Sequence, residues 1–277
     1  MGIVTISRTH GSGGTTFARE LAHRLGYSFI NRTFINNDCA ESAEHIRPFG
    51  IDDEMVPGLH GTARELMADA NFYKVSFLAN ILDHALKDNA VLSGMGAGII
   101  LTGLANTINL RVVRVMPERV RCIADAKNIP YDDAFDLVEK MDEGKREFIN
   151  RYFDADITDP SLYHAVVNSS YVSLDEAVDM VASYASKHFT PTHANRAETI
   201  LKMRLLEKRA EMLLFHLGMG HCHGKVVFQA AADGSLAVSG IVRNEAEKGR
   251  LLQALSRNSE ITGIKENLET GVLEPGV

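Results

Sequence analysis

Cysteine is scarce in this chain: Cys39, Cys122 and Cys222 are the three present, widely separated and odd in number. That argues against a disulfide framework and fits a protein that works in the reducing cytoplasm. Long apolar runs are missing as well. None approaches the roughly 18 residues of a membrane span, and no targeting signal stands ahead of the first strand-like run. Positive charge is not in excess: the formal net charge is −7, which argues against broad attraction to nucleic acid or anionic lipid. Internal repeats and low-complexity tracts are also absent. What remains is an ordinary globular composition, 45% hydrophobic and 23% charged over 277 residues, a length for one large domain or two smaller ones.

Apolar strand-like runs alternate with helical patterns from residue 1 to about residue 187, which predicts a parallel sheet covered by helices. Strands are expected at 3–7, 90–93 and 110–115, with a weaker one at 165–168, and helices at 15–25, 62–88, 117–127, 131–152 and 174–186. In the first helix Phe17, Leu21 and Leu25 recur at the spacing of a core-facing stripe. The polar segment 36–61, with Pro48, Gly50, Pro57, Gly58 and Gly61, reads as mobile. Thr190, Pro191 and Thr192 break the periodicity, so a first domain is placed at 1–187, a linker at 188–196 and a second domain at 197–273. That second domain reads as α-β-β-α-β: a helix at 197–217, a hairpin turned at Asp233 and Gly234, a helix at 245–255 and a strand at 264–269.

The first strand-to-helix junction carries the strongest chemical signal. Gly11, Ser12, Gly13 and Gly14 form a turn that aims backbone N–H groups and a helix N-terminus at one point, where a phosphate fits. In the Walker pattern G-x-x-x-x-G-K-[ST], Gly13 takes the second glycine, Gly14 the lysine and Arg8 the first glycine. Thr15 takes the hydroxyl position that holds Mg²⁺, and Thr16 follows it. Arg8 is the candidate replacement for the missing cation, since a guanidinium suits phosphate. In HLGMGHCHG, His216, His221, Cys222 and His223 are all metal-ligand types. Their spacing matches no standard zinc pattern, and a helix-terminating loop explains the segment better.

Five segments in order resemble the cytidylate-kinase-like family of P-loop proteins: ISRTHGSGG at 6–14, INRTFI at 30–35, VLSGMGAGIIL at 91–101, MPERVR at 116–121, and the run 141–169 with Asp142, Lys145, Phe148, Asp159, Pro160, Tyr163 and Asn168. The likeness implies a doubly wound parallel sheet of P-loop kinase type, ATP with Mg²⁺ as donor, and a nucleoside monophosphate, nominally CMP, as acceptor. By the same likeness Arg8, Arg121 and Lys145 are the cations that act on the transferred group. Gly11, Ser12, Gly13, Gly14, Thr15 and Thr16 bind the nucleotide, and Arg32, Gly94 and Gly96 meet the acceptor. Asn31 and Met95 depart from the family, which has aspartate and arginine there. Together with the changes at Gly14 and Lys145 they motivate an alternative, a non-catalytic nucleotide sensor whose ligand state is passed to the C-terminal domain.

That smaller α/β domain resembles a BON module on LAVSGIVRNEAEKGRLLQAL at 236–255 and ITGIKENLET at 261–270. The resemblance implies a binding role, with a protein or a membrane surface as partner, and leaves room for a homo-oligomer.

Overall fold

A computed structural model describes residues 1–35, 63–87 and 89–271. The segment expected to be mobile, 36–61, lies outside the described residues. By its internal contacts the described chain divides into two units: one of residues 1–35, 87 and 89–197, the other of 63–86 and 198–271.

The first unit is a five-stranded sheet. Its strands are β1 (Ile3–Arg8), β2 (Ser28–Ile30), β3 (Ala90–Ser93), β4 (Thr107–Val113) and β5 (Ala165–Asn168), in the order β2-β3-β1-β4-β5. Every pairing is parallel. β1 is central because Ile3, Val4 and Ile6 are buried, and Thr5 satisfies its hydroxyl inside the sheet by donating to Asn109 Oδ1 at 2.9 Å. The helix α1 (Gly14–Leu25) lays Phe17, Ala18, Leu21 and Ala22 on this sheet. It stops at Gly26, whose N–H donates to the carbonyls of Ala22 and His23.

Three more helices complete the unit's layers. α4 (Met116–Lys127) and α5 (Tyr131–Phe153) share a small core of Val120, Ile123, Ala134 and Val138. α6 (Leu174–His188) starts in a reciprocal Ser173/Glu176 capping box and buries Ala177, Val178, Val181 and Ala185 in the α1 core. A short helix, α3 (Ala97–Ile100), follows β3. The chain leaves β1 toward β2 on one side and leaves β4 toward β5 on the other. The carboxyl ends of β1 and β4 therefore flank the switch point where open α/β sheets bind ligands.

The second unit gathers α2 (Ala63–Lys87) and α7 (Pro191–His216) from residue 198 on, with β6 (Val226–Ala230), β7 (Ser235–Val242), α8 (Glu245–Ser256) and β8 (Gly263–Thr270). In α2, Phe72 meets the Phe215 ring edge-on at 5.5 Å, and Asp83 accepts from Arg209 at 3.0 Å. β6 and β7 are antiparallel, β7 and β8 parallel. The hairpin closes by the Ala231 N–H donating to the Ser235 carbonyl, with Gly234 at φ 83°. Leu206, Leu214, Phe228, Leu236, Val238, Leu251 and Leu255 fill its core.

The elements differ from the sequence expectation at four places, the short α3 among them. β2 was not expected, because it is three residues long and only Ile30 is buried in it. β4 begins three residues early, since Thr107 and Asn109 are polar yet buried. The residues expected to link the domains contain the start of α7 instead. Thr190 Oγ1 accepts the His193 N–H at 3.3 Å and Pro191 is the first helical residue, an N-cap and N1 pair.

Candidate functional site

β1 delivers Arg8 to the carboxyl edge of the sheet, and Gly13, left-handed at φ 78°, turns the chain directly into α1. Among the described residues the N–H groups of Gly11, Gly13, Gly14 and Thr15 donate to no protein acceptor. Orphan amides at a helix start, next to a guanidinium, have the chemistry to hold a phosphate. Ser12 shapes the turn from within, its hydroxyl donating to the Thr9 carbonyl at 2.8 Å while its own carbonyl accepts from Ser169 at 2.8 Å. Thr15 and Thr16 are exposed at the helix start.

The two departures from the Walker pattern are a single steric exchange. A Cβ at Gly14, the lysine position, would stand 2.6 Å from the Cβ of Arg8. The loop therefore accommodates a side chain at position 8 or at position 14, and this chain has placed its cation at 8. From there the Arg8 Nε–H donates to Thr15 Oγ1 at 3.3 Å. Its Nη1 reaches the turn after β3, where a Cβ on Gly94 (φ 82°) would lie only 2.2 Å away. One side chain thus spans from the loop to the second glycine turn.

That span borders a cleft lined by residues of β1, the Gly94–Gly96 turn, Arg32, Lys145 and the apolar side chains of Phe148, Ile149, Ile157 and Leu162. Of the residues expected from the sequence, Arg8, Arg32, Gly94, Gly96 and Lys145 are brought together here. Arg32 lies over the Phe148 ring with its guanidinium carbon 5.2 Å from the centroid. Asn31 accepts the Phe34 N–H at 3.0 Å, so its side chain caps the helical turn at 32–35. Met95 lines the cleft as well, buried and left-handed at φ 67°.

Arg121 is not brought to this cleft; it sits on the exposed face of α4. The neighbouring Arg119 points inward instead. It donates to the His10 carbonyl at 3.2 Å and forms a short ion pair with Asp142. Asp142 in turn accepts the His10 N–H at 2.7 Å and lies 3.7 Å from Lys145 Nζ. A carboxylate on α5 thereby grips the loop after β1 directly at His10.

Sequence reasoning also missed Arg111. It pairs in register with Ser7 at the switch point, is 7% exposed, and donates to Ser7 Oγ at 2.9 Å. Arg8, Arg111, Lys145 and Arg146 line a second hollow beside Thr9. At its rim the Thr158 hydroxyl and N–H hold the Asp156 carboxyl below the ordinary aspartate range, with smaller contributions from Arg111 and Arg146. A signal for Arg111 was available: the one charged residue within the buried strand β4.

The cytidylate kinase of Thermoplasma acidophilum is 27% identical over 188 residues, covering 65% of this chain and 90% of its own length. That of Staphylothermus marinus is 22% identical over 187 residues, covering 68% and 98%. In fold, the chain is similar to an uncharacterised protein from Eubacterium ventriosum, with a TM-score of 0.53 at 19% identity, over 67% of this chain and 99% of that one. Residues 3–171 match the model of the cytidylate kinase-like family, and the chain is a member of that family.

Proposed function

We propose that the chain is a Mg²⁺-dependent kinase that moves the terminal phosphoryl group of ATP to a nucleoside monophosphate, CMP or a close relative. The observation that carries this reading is the reach of Arg8 from the orphan-amide loop to the Gly94 turn of the adjoining cleft. Phosphoryl transfer is mainly positioning and neutralisation of charge on the equatorial oxygens, and a cation joining donor and acceptor sites serves both.

The donor phosphates would lie on residues 11–15, with the acceptor between Arg32, the Gly94–Gly96 turn and Phe148. The Thr15 hydroxyl fits a Mg²⁺ ion: it is exposed at the helix start and, as acceptor from Arg8, keeps a lone pair. Bound there, the ion would offset charge on the bridging phosphates. Lys145 is held near the site by Asp142. Among the described residues no carboxylate lines the cleft. That favours a phosphate acceptor, already anionic and nucleophilic, over a hydroxyl that needs a base.

A coupled assay with ATP, Mg²⁺ and each nucleoside monophosphate tests the reading. Turnover is expected with at least one acceptor, and its absence with all of them would sink the proposal. The sensor reading is favoured by one observation, the buried Met95 in the cleft where an arginine is expected. Calorimetric binding of nucleotide without turnover would select it. The α-β-β-α-β order of residues 191–270 supports a BON-like module that grips a partner.

A further inference from the structure

The four ligand-type residues of 216–223 separate in the folded chain. The His216 ring packs against Phe72 at 5.6 Å and the His223 ring against Phe215 at 5.4 Å. His221 and Cys222 instead occupy a short 3-10 turn, Gly220–Cys222, and meet a residue far along the sequence, Glu247 in the first turn of α8. His221 Nε2 is 3.3 Å from the Glu247 carboxylate, and Cys222 Sγ is 4.0 Å from Glu247 Oε2. The three ligand atoms all lie within 4.8 Å of one another.

We infer that His221, Cys222 and Glu247 form a binding site for a zinc-sized divalent transition metal ion, with solvent access on the His221 side. A tetrahedral ion at about 2.0–2.1 Å from nitrogen and oxygen and about 2.3 Å from sulfur sets the N and O ligands about 3.4 Å apart and the S and O ligands about 3.6 Å apart. The first spacing is already present, the second needs a shift of a few tenths of an ångström, and the nitrogen and sulfur, within 4.8 Å of each other, must close toward about 3.6 Å. The donor set of imidazole, thiolate and carboxylate is one that zinc accepts and that calcium or magnesium does not.

Burial strengthens the case. The side chain of Glu247 is 7% exposed and Cys222 is fully buried, while His221, at 24%, gives the route to solvent. The Arg243 N–H donates to Glu247 at 3.0 Å, yet the guanidinium of Arg243 stands 3.9 Å from Oε1 and is half-exposed. On binding, the Cys222 S–H bond breaks, a sulfur–metal bond forms and the proton leaves to solvent. The ion would pin the turn after α7 to the start of α8, within the second unit.

The test uses the full chain, stripped of metal and titrated with Co²⁺ alone. One equivalent is expected to bind with a thiolate-to-cobalt charge-transfer band, and one equivalent of Zn²⁺ is expected to displace it. The band should vanish in Cys222→Ser, persist in a Cys39→Ser/Cys122→Ser double variant, and require at least tenfold more cobalt in Glu247→Gln. Circular dichroism without metal checks that each variant is folded. The wild-type titration stands without any variant: failure to saturate overturns the inference, as does a charge-transfer band that survives in Cys222→Ser. In either case the cluster is a hydrogen-bonded triad alone.

Discussion

The Nε–H of Arg8 donates to Thr15 Oγ1 across 3.3 Å, tying the end of the first strand to the first turn of the helix that follows it. The same guanidinium abuts Gly94. Replacing it by a neutral chain of similar reach, Arg8→Gln, is expected to lower kcat by about 10²–10³, the usual cost of losing one preorganised donor. Arg8→Lys keeps the charge without the fork and should fall between the two. Steady-state rates at saturating ATP and acceptor decide it; equal rates in all three proteins would remove Arg8 from the chemistry.

Restoring the Walker lysine alone should fail. Gly14→Lys drives a Cβ into the Arg8 side chain, with Val112 Cβ a further 3.3 Å neighbour. We expect a loss of about 1–3 kcal/mol, as for other overpacked sites. In Arg8→Gly/Gly14→Lys the obstructing Cβ is gone, and denaturant unfolding should return most of that stability. If the double variant is no more stable than the single one, the steric exchange is not the reason for the missing lysine.

Asp142→Asn keeps an acceptor for the His10 N–H but removes the charge that Arg119 and Lys145 share. Arg119 is 11% exposed, so the loss should exceed that of a surface pair and reach about 1–3 kcal/mol. Nucleotide affinity should drop with it, because the phosphate loop loses an anchor. Urea unfolding together with ATP-analogue calorimetry measures both effects, and a variant unchanged in both would show that α5 does not brace the loop.

Met95→Arg should leave turnover unchanged or lower it, because Met95 is buried in the cleft lining and a longer charged side chain there overpacks it. A clear gain of kinase activity in the coupled assay would instead mark the methionine as decay from an active ancestor.

Burial, followed by the charges of His164 and His193, holds the His188 imidazole below the ordinary histidine range. The unfolded chain then takes up its proton first as pH falls, so unfolding binds protons and stability declines below about pH 6.5, the free histidine value. Melting temperatures between pH 5 and pH 8 should show this slope, and His188→Gln should flatten it. An unchanged slope would mean that another group governs acid stability.

The periodic parts of the fold were legible in the sequence. Apolar runs and capping residues place β1, α1, β3, α6 and the hairpin within a residue or two, because local pattern and burial coincide there. β2 was not, since its three residues bury one side chain and pairing alone makes it a strand. At the site, glycine spacing and Arg8 carried enough pattern to be seen. Arg119 and Arg121 are two residues apart on one helix, and only the packing of Val120 and Ile123 decides which faces inward. Glu247 was invisible as a neighbour of His221 because 26 residues and a hairpin separate them.

The helix α5 carries Asp142, which holds the phosphate loop, and Phe148, which forms part of the cleft wall. They are six positions apart, about 9 Å along a stiff rod. The two sites are therefore geared: any tilt of that rod that widens the cleft must strain the grip on the loop.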